Sequence, residues 1–199
     1  MADVADVADT ADKAETAETA GSGTKVRLAT LWLDGCSGCH MSLLDMDERL
    51  LDLAGKVEVV FSPLVDAKEF PEGVDLAVVE GAVSSDEDEE KIRIVRARSK
   101  VLLALGDCAL TGNVSAMRNV FTVADVLERA YIENADISSG PPERGVPHLR
   151  PQARPLHEVV EVDAFLPGCP PPADAIHFAL SELAEGRMPD LSTLSRFGR

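Results

Sequence analysis

No apolar run in this 199-residue chain is long enough to cross a bilayer. Continuous apolar stretches are of the length of Val101–Leu105, whereas a spanning helix needs about 20 residues. Membrane insertion is therefore not expected. Basic residues are scarce as well: 19 Lys and Arg stand against 35 Asp and Glu, a net charge of −16. Such a chain repels a phosphate backbone, so nucleic acid is not an expected partner. Cysteine is confined to positions 36, 39, 108 and 169. The length corresponds to about one domain with a substantial core.

The first 24 residues lack both arginine and an apolar stretch, and Lys13 is their only basic residue. Alanine recurs there every third position from 2 to 20, a period that drifts off any one helical face. This segment is expected to be a disordered acidic tail rather than a secretory leader, with residues 25–199 forming a single domain. The expected location is the cytoplasm. Structural disulfides are rare in that compartment, where thiols are more often buried, catalytic or metal-bound.

What the chain does contain is "DGCSGCHMS", residues 34–42. Its C-x-x-C-H admits three readings: a c-type haem attachment, a thioredoxin-like redox pair, or half of a four-cysteine iron–sulfur site. The rest of the chain has to discriminate among them.

From residue 25 onward, strand-like and helix-like segments alternate. Lys25–Leu33, Val57–Phe61, Val74–Glu80 and Val101–Leu105 read as strands, the last continuously apolar as in a parallel sheet buried on both faces. Leu43, Met46, Leu50 and Leu53 predict a helix over Met41–Ala54, and further helices are predicted at Ala124–Glu133 and Ala173–Gly186. The acidic run "SSDEDEE" reads as a serine-capped helix start. The pattern defines an α/β fold: a doubly wound, mostly parallel sheet with helices on both faces. In such sheets ligands bind outside the carboxyl ends of the strands. Cys36 and Cys39 follow the first strand, Cys108 follows the fourth, and Cys169 follows the short apolar run Val162–Leu166. Residues 136–158 interrupt the alternation with five prolines, three arginines and two histidines. That stretch reads either as a docking segment or as a disordered insertion.

Counting thiols separates the three readings. A redox pair or a haem leaves Cys108 and Cys169 unused, and haem attachment requires export. His40 then reads as a loop residue lining the site or as a helix-start residue rather than an axial ligand. Structural zinc would use four cysteines, but usually as two close pairs; here the second pair is split between 108 and 169. An iron–sulfur site uses all four. Gly35, Gly38 and Gly168 directly precede cysteines and Gly106 lies two before Cys108, where close backbone approach is needed, and Pro170 follows Cys169 as in the bacterial ferredoxin run.

Four separated blocks, "DGCSGCHMSLLDMDERL", "VVEGAVSSDEDEE", "GDCALTGNVSAMRN" and "FLPGCPPPADAI", resemble the small subunit of a cytoplasmic [NiFe] hydrogenase of the NAD-reducing, bidirectional type. The resemblance spans about residues 25–190. It implies a flavodoxin-like fold and one [4Fe–4S] cluster held by Cys36, Cys39, Cys108 and Cys169. It also implies an electron relay toward a diaphorase module. Glu80 in "VVEGAV" matches a family glutamate considered for proton movement; the alternative is a hydrogen-bonded structural acid.

All four cysteines are used by that assignment. The Ni–Fe centre is therefore expected on a large-subunit partner, and FMN and NAD on diaphorase iron–sulfur and flavin subunits. The loop after the first strand, where a flavodoxin holds phosphate, carries cysteines instead. The twin-arginine leader and cysteine-rich C-terminal domain of exported relatives are not expected. The quinone-proximal cluster subunit of complex I resembles this chain too, sharing "PGCPP", but has adjacent cysteines in its first loop. A zinc- or thiol-based interaction module on the same sheet is the non-enzymatic alternative.

Overall fold

A computed structural model describes residues 24–137, 140–191 and 194–198. The expected acidic tail, apart from Thr24, lies outside the described residues. The strands are β1 (Val26–Trp32), β2 (Val57–Phe61), β3 (Val74–Glu80), β4 (Val83–Ser85), β5 (Ser99–Leu105), β6 (Leu149–Arg154) and β7 (Ala164–Leu166). The α-helices are α1 (Gly38–Leu44), α2 (Arg49–Lys56), α3 (Asp86–Arg98), α4 (Asp107–Thr111), α5 (Asn113–Ala116), α6 (Val123–Glu128) and α7 (Ala173–Ala184).

Five strands pair in parallel in the order β2-β1-β3-β5-β7. Numbered along the sheet-forming strands alone, this is the 2-1-3-4-5 order of a flavodoxin-like doubly wound sheet, with its switch point between β1 and β3. Each sheet face buries its own core. Leu28, Val78, Leu103 and Leu166 pack with Met46, Leu53, Ile176 and Leu180 on one side. Ala29, Val79, Leu102 and Ala104 pack with Ile92, Val95 and Leu110 on the other. Burial on both faces explains why the central strands read as continuous apolar runs.

The serine-capped helix start is present as a reciprocal capping box. Asp88 N–H donates to Ser85 Oγ at 3.1 Å, and Ser85 N–H donates to Asp88 Oδ2 at 2.9 Å.

Three sequence expectations need correction. The helix expected over Met41–Ala54 is two, α1 and α2, because Asp47 turns left-handed (φ 51°) between them while Met46 stays buried. The helix expected at Ala124–Glu133 is α-helical only to Glu128, after which Arg129–Glu133 widens into a π turn. Residues 136–158 are not wholly irregular, since β6 pairs antiparallel with β4 and Leu156–Glu158 forms a 3-10 turn. In "LRPQAR" only Leu149 and Ala153 are strand-compatible apolar residues, with Pro151 between them. Besides its pairing with β4, the strand is held by a side-chain clamp: Asn119 Nδ2 donates to Ala153 O, and Ala153 N–H donates to Asn119 Oδ1, both at 2.8 Å.

Candidate functional site

The carboxyl ends of β1, β3, β5 and β7 surround one cavity, lined by Cys36, Cys39, Glu80, Cys108 and Cys169 together with Gly35, Gly38, Gly81, Asp107 and Gly168. All four sequence-predicted cysteines therefore face a common space, and all four are free thiols. Cys36 sits in the loop after β1 and Cys39 in the first turn of α1. Cys108 lies in α4 directly after β5, and Cys169 in the loop after β7. Among the described residues, no three His, Cys, Asp or Glu side chains are arranged to hold a single metal ion. Four thiolates around one zinc at 2.3 Å would place their sulfurs roughly 4 Å apart. The thiols share a cavity without closing on one point.

Two glycines make the close approach sterically feasible. Gly81 (φ 87°) ends β3, where an added Cβ would meet Leu33 C at 2.7 Å. Gly106 (φ 82°) ends β5, where a Cβ would fall on Cys39 Sγ. Both occupy the left-handed region that favours glycine.

Cross-strand hydrogen bonds fix the cavity walls. Asp34 and Ala82 exchange backbone hydrogen bonds at 3.1 and 2.7 Å, tying the β1 loop to the β3 loop. Asp107, buried, accepts from Gly168 N–H at 2.7 Å, and its own N–H donates to Gly168 O at 2.9 Å. Ser42 Oγ donates to Pro171 O at 2.6 Å, joining α1 to the Cys169 loop. Sequence reasoning missed Asp107 and Ser42. The only trace of Asp107 was its place next to Cys108 in "GDC".

The inner wall is electrostatically demanding. Burial pushes the Cys39 thiol far up, reinforced by the adjacent Glu80 carboxylate and by Cys108 and Cys36. Burial also raises Cys108, and Cys169 and Cys36 add to the rise; hydrogen bonds from Val114 N–H and the Asn113 side chain oppose it. As bare thiolates these groups would repel one another at low dielectric, so the cavity suits a cationic metal centre that offsets the cost of their deprotonation.

Glu80 stands at the end of β3 with both carboxylate oxygens turned to His40. Oε2 accepts the His40 backbone N–H at 3.1 Å, and Oε1 lies 3.1 Å from His40 Nδ1, although poorly aligned for a hydrogen bond. His40 Nε2 is 3.0 Å from Thr30 Oγ1, which donates to Ser62 Oγ at 2.9 Å. All four residues are buried. The His40 ring, Thr30 and Ser62 thus form one buried polar chain that ends on Glu80. His40 is thus a helix-start residue, as expected, but it is bonded to Glu80 rather than lining the cavity.

The family model described as NADH ubiquinone oxidoreductase, 20 Kd subunit, matches residues 36–183. The delta subunit of the NAD-reducing hydrogenase HoxS of Cupriavidus necator is 44% identical over 179 residues, covering 87% of this chain and 86% of its own. A vhu subunit of the F420-non-reducing hydrogenase of Methanocaldococcus jannaschii is 35% identical over 170 residues, and there the match covers 84% of this chain and 59% of the relative. A crystal structure of an NAD+-reducing [NiFe]-hydrogenase in the H2-reduced state contains a chain that superposes with a TM-score of 0.82 at 40% identity. That superposition covers 87% of this chain and 99% of the other. The chain belongs to the 20 Kd subunit family and, within it, to the hydrogenase small subunits of the NAD-reducing type.

Proposed function

We propose that this chain is the electron-transfer small subunit of a soluble, cytoplasmic [NiFe] hydrogenase, and that Cys36, Cys39, Cys108 and Cys169 hold one [4Fe–4S] cluster. The observation that carries this reading is the meeting of four thiols from three separate segments in one cavity at the strand ends. The donor set fits such a cluster: thiols spaced around a cavity, glycine where a side chain would intrude, and N–H groups directed at sulfur. When bound, a cluster of this kind accepts and passes on one electron.

The chain's own residues hold and shield the group. Gly106 keeps the space beside Cys39 clear, and Asp107 locks the β5 loop to the β7 loop. Cys39 and Cys108 are half-buried, while Cys36 and Cys169 are exposed. Glu80 lines the cavity with His40 Nδ1 behind it at 3.1 Å, and Glu80 is the candidate for passing a proton onward. With all four cysteines committed, the Ni–Fe centre belongs on a large-subunit partner. FMN and NAD belong on diaphorase iron–sulfur and flavin subunits, in keeping with the NAD-reducing relatives.

The test separates electron export from hydrogen activation in the purified complex. In Cys169→Ser, hydrogen–deuterium exchange at the partner's nickel site should persist while hydrogen-dependent NAD+ reduction falls at least tenfold. Unimpaired NAD+ reduction would contradict the relay.

A further inference from the structure

The turn after Cys108 is shaped around one side chain. Gly112 (φ 81°) and Asn113 (φ 32°) are both left-handed, and asparagine is among the few non-glycine residues that tolerate this region. Thr111 Oγ1 donates to Asp107 O at 2.8 Å and accepts the Asn113 backbone N–H at 3.3 Å, which fixes the turn to the cysteine loop. The Asn113 carboxamide is thereby directed back over the cavity. Its Nδ2–H donates to Cys169 Sγ at 3.4 Å, within the longer range of hydrogen bonds to sulfur. The same carboxamide and the Val114 N–H ease the burial-raised Cys108 thiol downward. Neither the fold nor a cap requires the amide there: among the described hydrogen bonds, that of the Asn113 side chain goes only to Cys169, 56 residues away.

We propose that Asn113 sets the reduction potential of the cluster held by these cysteines, by donating a hydrogen bond to the Cys169 sulfur. This rests on the cluster reading above. Donors to cysteine sulfur stabilise the more negative, reduced state, so losing one lowers the potential. Asn113 is a positioning and tuning residue. It neither ligates nor transfers electrons.

The experiment uses the complete complex, purified anaerobically, in wild-type, Asn113→Gly and Asn113→Asp forms. Glycine accepts the left-handed backbone and removes the donor. Aspartate keeps the shape and substitutes a charged acceptor. Iron and sulfide analysis accompanies EPR-monitored redox titration. Both variants should keep about four irons and four sulfides on this chain, with a midpoint shifted negative, further for aspartate. In the wild type labelled with ¹⁵N-asparagine, pulsed EPR of the reduced cluster should show a nitrogen coupling. An unchanged midpoint in a variant that retains its cluster overturns the proposal, as does absence of the coupling. Should both variants lose the cluster, the coupling decides alone. A wild type without iron or sulfide overturns the cluster reading instead.

Discussion

Glu80 grips His40 at two points: one carboxylate oxygen accepts the histidine's backbone N–H, and the other faces its ring Nδ1, each at 3.1 Å. Glutamine at position 80 can turn its amide N–H toward Nδ1 while its oxygen still accepts the backbone N–H. Glu80→Gln should therefore keep the fold, with unfolding free energy within about 1 kcal/mol of wild type. It should nevertheless slow hydrogen turnover and raise the solvent isotope effect. Glu80→Leu strips the buried N–H of its acceptor and should cost about 1–3 kcal/mol in a denaturant titration. Full turnover in Glu80→Gln would reduce Glu80 to a structural acid.

Gly106 tests the packing of the cavity. A methyl there meets Cys39 Sγ and demands a left-handed backbone from alanine. Gly106→Ala should destabilise the chain by about 1–3 kcal/mol and lower the iron content of the purified complex, read by denaturation and metal analysis. Gly55→Ala is the control: its added Cβ meets nothing within 4 Å.

The capping box of α3 is distant from that chemistry. Ser85→Ala removes the acceptor for Asp88 N–H and should cost about 1 kcal/mol in thermal or denaturant unfolding. Cluster content should be unaffected.

Asp75 carries a pH dependence. The Lys100 ammonium at 2.7 Å and the Arg27 backbone N–H at 2.9 Å hold its carboxyl below the usual range. A depressed folded value means that its contribution is complete above the unfolded Asp value of about 3.9 and is lost as pH falls through the folded value. The stability difference between wild type and Asp75→Asn should thus be present at neutral pH and shrink toward zero in acid, as followed by urea midpoints.

Much of the fold could be read from the chain because its strands are buried on both faces. Val101–Leu105 and Val74–Glu80 announce themselves by composition alone. β6 could not be read, since Pro151 and two arginines mask it and its partners, β4 and the distant Asn119, are invisible locally. The break between α1 and α2 was hidden for another reason: Leu43, Met46, Leu50 and Leu53 keep apolar spacing across a turn that depends on Asp47. In the site, the cysteines were legible as a constellation of strand-end residues. Asp107, Asn113 and the bond of His40 to Glu80 were not, because their roles arise from partners 40 or more residues away.

The central claim is that these four thiols hold one four-iron cluster, and metal analysis with EPR of the anaerobically purified complex tests it most directly. About four irons and four acid-labile sulfides assigned to this chain, with a cluster signal on reduction and nickel on the co-purifying large subunit, is the predicted result. One zinc per chain and no sulfide would contradict it.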